Sequence, residues 1–223
     1  MKNFPKITIG YISHDKSVFD KHLGRSLQNL VGEYSLISTS SELPPANNYN
    51  YIIENSNTDL ILLVHEDISF TPDLLQYIYR TLTYLDYNQI RFSSLGIVGH
   101  NYNKDYYSVN WSREDKVFRY ETLDCCFILI DKRHGLKFDS NTFDDFHLYV
   151  EDYCISAQNK TGLGSYSILM NSYEGKLAPK NLNGVSNVMH HSNTLSKLGS
   201  AWGKYSKYKE ILNKKHGRKI KTT

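Results

Sequence analysis

Residues 58–70 read T-D-L-I-L-L-V-H-E-D-I-S-F. Leu60 to Val64 is an unbroken apolar run, too short for a helix standing alone and typical of a strand buried on both faces. It stops at His65-Glu66-Asp67, three groups that can carry charge or bind a metal. In open α/β sheets ligands bind just beyond the carboxyl ends of the strands, so polar groups placed there are candidates for a site. A solvated acidic turn would end a strand in the same way. The rest of the chain has to decide between the two.

Working outward, Lys6 to Ile12 (K-I-T-I-G-Y-I) predicts a first strand ending at Ser13-His14-Asp15. Phe19, Leu23, Leu27 and Leu30 share one face of a helix over 19–30, and Tyr34 to Ser38 suits a second strand. Residues 38–50, with Pro44-Pro45 and Asn47-Asn48, read as a loop, and 49–55 as a helix or short strand. After Asp67, Thr71-Pro72-Asp73 starts a helix with Thr71 as its N-cap, continuing through Leu74, Leu75, Ile78 and Leu82. Leu95 to Val98 is a short strand closed by Gly99-His100, and Glu121 to Ile130 reads as one long strand. Residues 143–157 look helical in their second half, 165–170 suit a late strand, and 101–111 have no regular pattern. The strand–helix alternation predicts an α/β architecture: one Rossmann-like sheet with helices on both faces over 1–199, its less regular second half completing a site. Residues 200–223 form a basic tail, with Trp202, Tyr205 and Tyr208 at helical spacing.

Composition narrows the class. At 223 residues the chain is long enough for one substantial core. A net charge of +3 is too small to argue for a nucleic-acid partner, although Lys204, Lys207, Lys209, Lys214, Lys215, Arg218, Lys219 and Lys221 crowd the C-terminus. Cys125, Cys126 and Cys154 form no C-x-x-C pair, so neither a zinc site nor a disulfide framework is indicated. Nothing approaches the roughly 18 apolar residues of a membrane span, and residues 1–5 lack a signal-peptide core. A cytoplasmic compartment is the expectation.

Three clusters could carry chemistry: His65-Glu66-Asp67, the acidic segment F-D-D-F-H-L-Y-V-E-D at 143–152, and His190-His191-Ser192. A hard divalent cation wants carboxylate oxygens. Manganese also accepts imidazole, so Asp67 with His190 or His191 would suit it better than magnesium. A histidine pair alone reads more readily as a surface feature. In the acidic segment, crowded carboxylates perturb one another's proton affinity, as a general base requires. A helix dipole accounts for Asp144 and Asp145 but less well for Glu151-Asp152 beside apolar Val150 and Ile155.

In order and spacing these pieces resemble a compact bacterial branch of the family-2-like glycosyltransferases with a glycosyltransferase A fold. The resemblance spans about residues 5–195 and rests on V-H-E-D-I at 64–68, G-I-V-G at 96–99, E-T-L-D at 121–124, the acidic segment at 143–152 and H-H-S at 190–192. It implies transfer of a sugar from a nucleotide-sugar donor to a glycan or lipid-linked glycan acceptor in bacterial surface polysaccharide synthesis, dependent on Mn²⁺ or Mg²⁺ and inverting. Asp67 resembles the last acid of the Asp-x-Asp motif, and His65 stands where the first acid is usual, leaving open whether it meets metal or nucleotide. His190 or His191 resembles the late metal ligand. Asp152 resembles the catalytic base, with Glu151 beside it. The strand end at Tyr11, Ser13 and His14 resembles the wall that receives the base. Glu66 and Asp124 fall on the donor side, Asp124 at the sugar.

Other classes fit less well. A metal-dependent phosphoesterase uses similar groups but needs more convergent ligands. A non-catalytic sugar-binding module on the same fold is opposed by the survival of Asp67, Asp152 and the histidines. A dinucleotide-dependent oxidoreductase is opposed by the absence of G-x-G-x-x-G after the first strand. The basic tail reads as a solvated helix, or as a contact with an anionic membrane surface at the inner face, where each Lys or Arg gains roughly 1 kcal/mol.

Overall fold

The run Leu60–Val64 is a strand buried at every position. The structure, a computed structural model, describes residues 5–101, 109–111, 117–170, 188–191 and 201–222. In chain order the strands are β1 (Ile7–Ser13), β2 (Tyr34–Ser40), β3 (Leu60–Val64), β4 (Ile68–Phe70), β5 (Phe92–Gly96), β6 (Val98–Asn101), β7 (Val109–Trp111), β8 (Arg119–Leu123), β9 (Phe127–Asp131), β10 (Gly164–Ser167) and β11 (Val188–His190). The helices are α1 (Lys16–Lys21), α2 (Leu23–Asn29), α3 (Pro45–Asn55), α4 (Leu74–Tyr87), α5 (Tyr149–Thr161) and α6 (Ala201–His216). The main sheet has the order β2-β1-β3-β9-β5-β10-β8-β6-β7, and β4 pairs with β11 in a small second sheet. β1 runs parallel to β2 and to β3, the Rossmann-like half expected, while β9 enters antiparallel between β3 and β5.

Side-chain alternation on the central strands divides the core in two. Leu60, Leu62 and Val64 pack with Ile7, Ile9, Phe127 and Leu129 against α2 and α4. Ile61 and Leu63 pack with Ile128 and Ile130 against α3, α5 and α6. Continuous apolar runs are what a strand with helices on both faces requires. Gly10 lets α3 come close to β1, because a Cβ there would lie 2.5 Å from Cγ2 of Ile52.

Several boundaries differ from those the sequence predicts. The helix over 19–30 is broken at His22 into α1 and α2. The loop over 38–50 ends early, because Pro45 opens α3 from the first helical position. Thr71 is not the N-cap of α4; Asp73 is, and Thr71 donates its hydroxyl to the Asp73 carboxylate at 2.5 Å. The single strand over 121–130 is two strands, β8 and β9, joined by a turn at 124–126. Residues 102–108, 171–187, Ser192 and the Trp202 side chain, which enter the sequence readings above, lie outside the described residues.

The basic tail is not a separate unit. Tyr208 and Leu212 of α6 and Ile220 beyond it are buried in the second core cluster, with Tyr205 packed against it. Tyr205 also hydrogen-bonds Thr222, and Tyr208 donates to Asp144. These two rings are therefore occupied by the protein itself. The charges are partly used as well: Lys215 Nζ lies 2.7 Å from Asp139 and 2.9 Å from Asp152, Lys204 lies 2.8 Å from Asp145, and Arg218 pairs with Glu121. No helix of the described residues is long and apolar enough to cross a membrane.

Asp139 gives this docking an acid limit. Burial pushes its carboxyl up, but the hydrogen bonds from Lys215 and Thr142 and the Lys215 charge outweigh it, bringing the group from 3.8 to about 2. A depressed folded value means that its contribution is complete above the unfolded value and lost as the pH falls through the folded one. We therefore expect peptic cleavage in 201–222 to rise as the pH drops from 3.8 towards about 2, and Asp139→Asn to bring that cleavage on at higher pH.

Candidate metal and nucleotide site

The end of β3 carries the centre of the site. The His65 N–H donates to the Cys126 carbonyl at 3.1 Å, extending the β3–β9 pairing by one residue, and the Ile68 N–H reaches back to the His65 carbonyl at 3.3 Å. This turn presents Asp67 and leads into β4. In the β4–β11 ladder Ile68 stands opposite His190, and the His191 N–H donates to the Asp67 carbonyl at 3.0 Å. Two segments more than 120 residues apart are thereby joined.

His65, Asp67 and His190 form one set whose donor atoms all lie within 4.8 Å of one another. Asp67 Oδ1 is 3.3 Å from His190 Nε2 and 4.0 Å from His65 Nδ1. Ligand atoms about 2.1 Å from an ion and at right angles lie about 3 Å apart, so the set needs only a small contraction to hold one. Nε2 of His65 is buried with no hydrogen-bond partner among the described residues. Burial, and then the neighbouring His190, push the His65 imidazole down to about 4 despite Asp67 and Asp124, so it is neutral at neutral pH, the form that ligates metals. At His190 burial acts downward, but the Asp67 carboxylate 3.3 Å away wins and the proton is held more tightly. A divalent cation would take that proton's place beside Asp67. The residues fit such an ion.

Asp124 flanks the set. It sits in the β8–β9 turn, where Oδ1 accepts from the Cys126 N–H at 2.8 Å, and its charge reaches both His65 and His190. Ser13, half-buried, ends β1, and His14 follows it, exposed. These placements keep Ser13, His14 and Asp124 beside the ends of the strands that carry the site.

Four sequence assignments change. Glu66 is not open to a donor: its carboxylate accepts the backbone N–H groups of His14 (2.9 Å) and Asp15 (3.0 Å), fixing the loop after β1. Tyr11 is not a wall for a base, because its ring is buried and stacked on Phe19 at 4.8 Å. His191 is outside the metal set; its ring stacks on His22 at 3.9 Å and its Nε2 lies 2.9 Å from Ser69 Oγ. Asp152, buried like its neighbour Glu151, has its carboxylate held by Lys215 at 2.9 Å and His216 Nε2 at 2.8 Å, so that it anchors α6. Glu151, also buried, acts electrostatically on the half-buried Cys125 that follows Asp124.

Sequence reasoning missed Phe146. In F-D-D-F the two phenylalanines look alike, yet Phe143 is fully buried while Phe146 is 41% exposed. Its ring lies 5.5 Å from His14 and 6.3 Å from His65. Two residues on, Leu148 is buried in the left-handed region at φ +64°, which costs a bulky residue roughly 1–3 kcal/mol. No local pattern announces that turn; an aromatic residue inside a run of acids was the one available signal.

No family model matches the sequence, and no curated protein does. Among solved structures the chain is similar to S. aureus TarS 1–349, at 12% identity and a TM-score of 0.47, over 73% of this chain and 60% of that one. It is also similar to GalNAc-T7 solved with UDP, GalNAc and Mn²⁺, at 5% identity and a TM-score of 0.53, over 76% of this chain and 43% of that one. A third similarity is to A197 from STIV, at 12% identity and a TM-score of 0.44. At such identities the likeness is one of fold, and GalNAc-T7 carries it. The chain has a glycosyltransferase A-like fold.

Calorimetric titration of the chelator-treated protein with Mn²⁺ should show a single site. His65→Ala, Asp67→Ala and His190→Ala should each weaken it at least about tenfold, while His191→Ala should leave it unchanged. Equal losses in all four variants would contradict this ligand assignment.

Proposed function

We propose that the chain is a glycosyltransferase that takes a sugar from a nucleotide-sugar donor, with the donor diphosphate held against a divalent cation at His65, Asp67 and His190. The observation that carries this reading is the His–Asp–His set at the carboxyl end of β3. It lies on a fold shared with GalNAc-T7, which was solved with UDP, GalNAc and Mn²⁺. Two imidazoles and one carboxylate favour Mn²⁺ over Mg²⁺. When bound, the cation supplies Lewis-acid stabilisation of the charge that builds on the departing diphosphate.

The chain's own groups supply the rest. Glu66, by holding the amides of His14 and Asp15, sets the loop that receives the nucleoside. Asp124, beside the metal set, accepts from hydroxyls of the donor sugar in this reading. Glu151, on the Cys125 side of α5, takes over the base role that the sequence gave to Asp152. It removes the acceptor hydroxyl proton as that oxygen bonds to the anomeric carbon. The bond to the diphosphate breaks, its electron pair leaves with the diphosphate, and the single displacement inverts the anomeric centre. A glycan or lipid-linked acceptor in bacterial surface polysaccharide synthesis completes the reading, on the strength of the motif resemblance. Lys207, Lys214 and Lys219 are exposed on and after α6, and a contact with the inner face of the membrane would use these charges. A two-metal phosphoesterase gains no support, since a single metal-capable set is found among the described residues.

The deciding experiment titrates UDP-, GDP- and dTDP-linked sugars, with and without Mn²⁺, against wild type and Asp67→Ala. One nucleotide class should bind in a metal-dependent way, and the variant should lose it. No binding of any donor, or binding undiminished in Asp67→Ala, overturns the reading.

Turnover separates the two adjacent acids. Glu151→Gln should lower kcat by about 100-fold or more with donor affinity kept. Asp152→Asn breaks a buried ion pair and should cost about 3–5 kcal/mol of stability in chemical denaturation while sparing kcat of the folded fraction. The opposite pattern would return the base role to Asp152.

A further inference from the structure

Phe146 belongs to a segment whose other members are all engaged elsewhere. Phe143 and Leu148 are buried at its two ends. Between them, Asp144 accepts from Tyr208, Asp145 pairs with Lys204 at 2.8 Å, and the His147 ring lies 5.8 Å from that of Tyr205. Each of these partners is on α6. Asp145 also accepts the Phe146 N–H at 2.7 Å, and the left-handed turn at Leu148 closes the segment. With its neighbours pinned to α6, Phe146 projects away from that helix, over His14 and His65.

His14 and His65 follow neighbouring parallel strands, since Tyr11 of β1 pairs with Val64 of β3. A ring in contact with both straddles the crevice between the two strand ends, where open α/β sheets take their ligands. Tyr11 is buried behind Phe19 and cannot serve there, whereas Phe146 is exposed.

We propose that the exposed face of Phe146 is the stacking platform for the nucleobase of the donor, at the β1–β3 crevice. The assignment rests on the nucleotide-sugar reading above and adds a role for Phe146, to which the resemblance assigned none. A flat, uncharged ring suits a base, which has a π-face whatever its identity. The diphosphate then extends past His65 to the metal set, and the loop clamped by Glu66 forms the crevice's other wall through His14. A sugar acceptor approaches from a different side, because it must meet Glu151 beside Cys125 and attack opposite the diphosphate. Phe146 is thus a substrate-contacting residue that serves affinity, not the chemical step.

The test compares wild type, Phe146→Ala and Phe146→Trp as full-length proteins, each checked for an unchanged thermal midpoint. UDP, GDP, dTDP and inorganic pyrophosphate are titrated in the presence of Mn²⁺. For the nucleotide that wild type binds best, Phe146→Ala should weaken affinity about tenfold or more, Phe146→Trp should keep it, and pyrophosphate affinity should be the same in all three. Nucleotide affinity unchanged in Phe146→Ala overturns the platform while the nucleotide-sugar reading stands. Equal losses for nucleotide and pyrophosphate also overturn it, by showing that the substitution disturbs the metal set. If wild type binds pyrophosphate but none of the nucleotides, both readings fall together.

Discussion

The pairing of Ile68 with His190 is the constraint on which the site depends. Side chains alternate along a strand, so a slip of one residue in this ladder would turn His190 away and present its neighbour instead. A two-stranded ribbon of three residues on each side does not hold such a register alone. Here it is braced from outside. Ser26 of α2 accepts the Phe70 N–H on its hydroxyl at 3.0 Å, and the Leu23 N–H, at the start of α2, donates to the Glu66 carbonyl at 3.3 Å. The break at His22 that separates α1 from α2 therefore has a structural consequence. It lets α2 lie against the β3–β4 connection while α1 keeps its own cap at Asp15.

The parts of the fold legible in the sequence were those that local patterns encode. The apolar run of β3 read correctly as a buried strand, and the polar groups at its end lie where the sequence put them, at the start of the turn that follows. The parts that escaped were set by contacts between distant residues or by competition within one segment. Glu121 to Ile130 looked like a single strand because its apolar character never lapses. Asp124 interrupts it by capping its own turn through the Cys126 N–H, a local bond that hydrophobic periodicity cannot show. Glu66 likewise looked like a site acid by its position, yet its carboxylate was claimed by amides 51 and 52 residues earlier.

The C-terminus shows the same limit in its charges. Taken separately, the basic tail reads as a solvated helix and the acidic segment as a helix start favoured by the dipole. Together they are complementary: Asp139, Asp144, Asp145 and Asp152 all meet side chains of α6. These pairs are separated by 59 to 76 residues, beyond any window in which periodicity operates. The burial of Tyr208 and Leu212 in the same contact makes it an apolar interface with a charged rim, not a surface ion-pair network alone.

Adjacent acids on a helix point about 100° apart, and that geometry separates Glu151 from Asp152. One faces the β8–β9 turn and the other faces α6, so a two-acid motif need not be a pair acting on one substrate. Asp152, buried between Lys215 and His216, is costly to remove because either change leaves charge without its counterpart. Its position one residue from Glu151 ties the seating of α6 to the first turn of α5. The same helix α6 pins the segment that carries Phe146. Docking of the C-terminal helix therefore braces both the first turn of α5 and the segment that carries the Phe146 ring. For this chain the basic C-terminus is part of what shapes the site, although none of its described side chains belongs to the metal set.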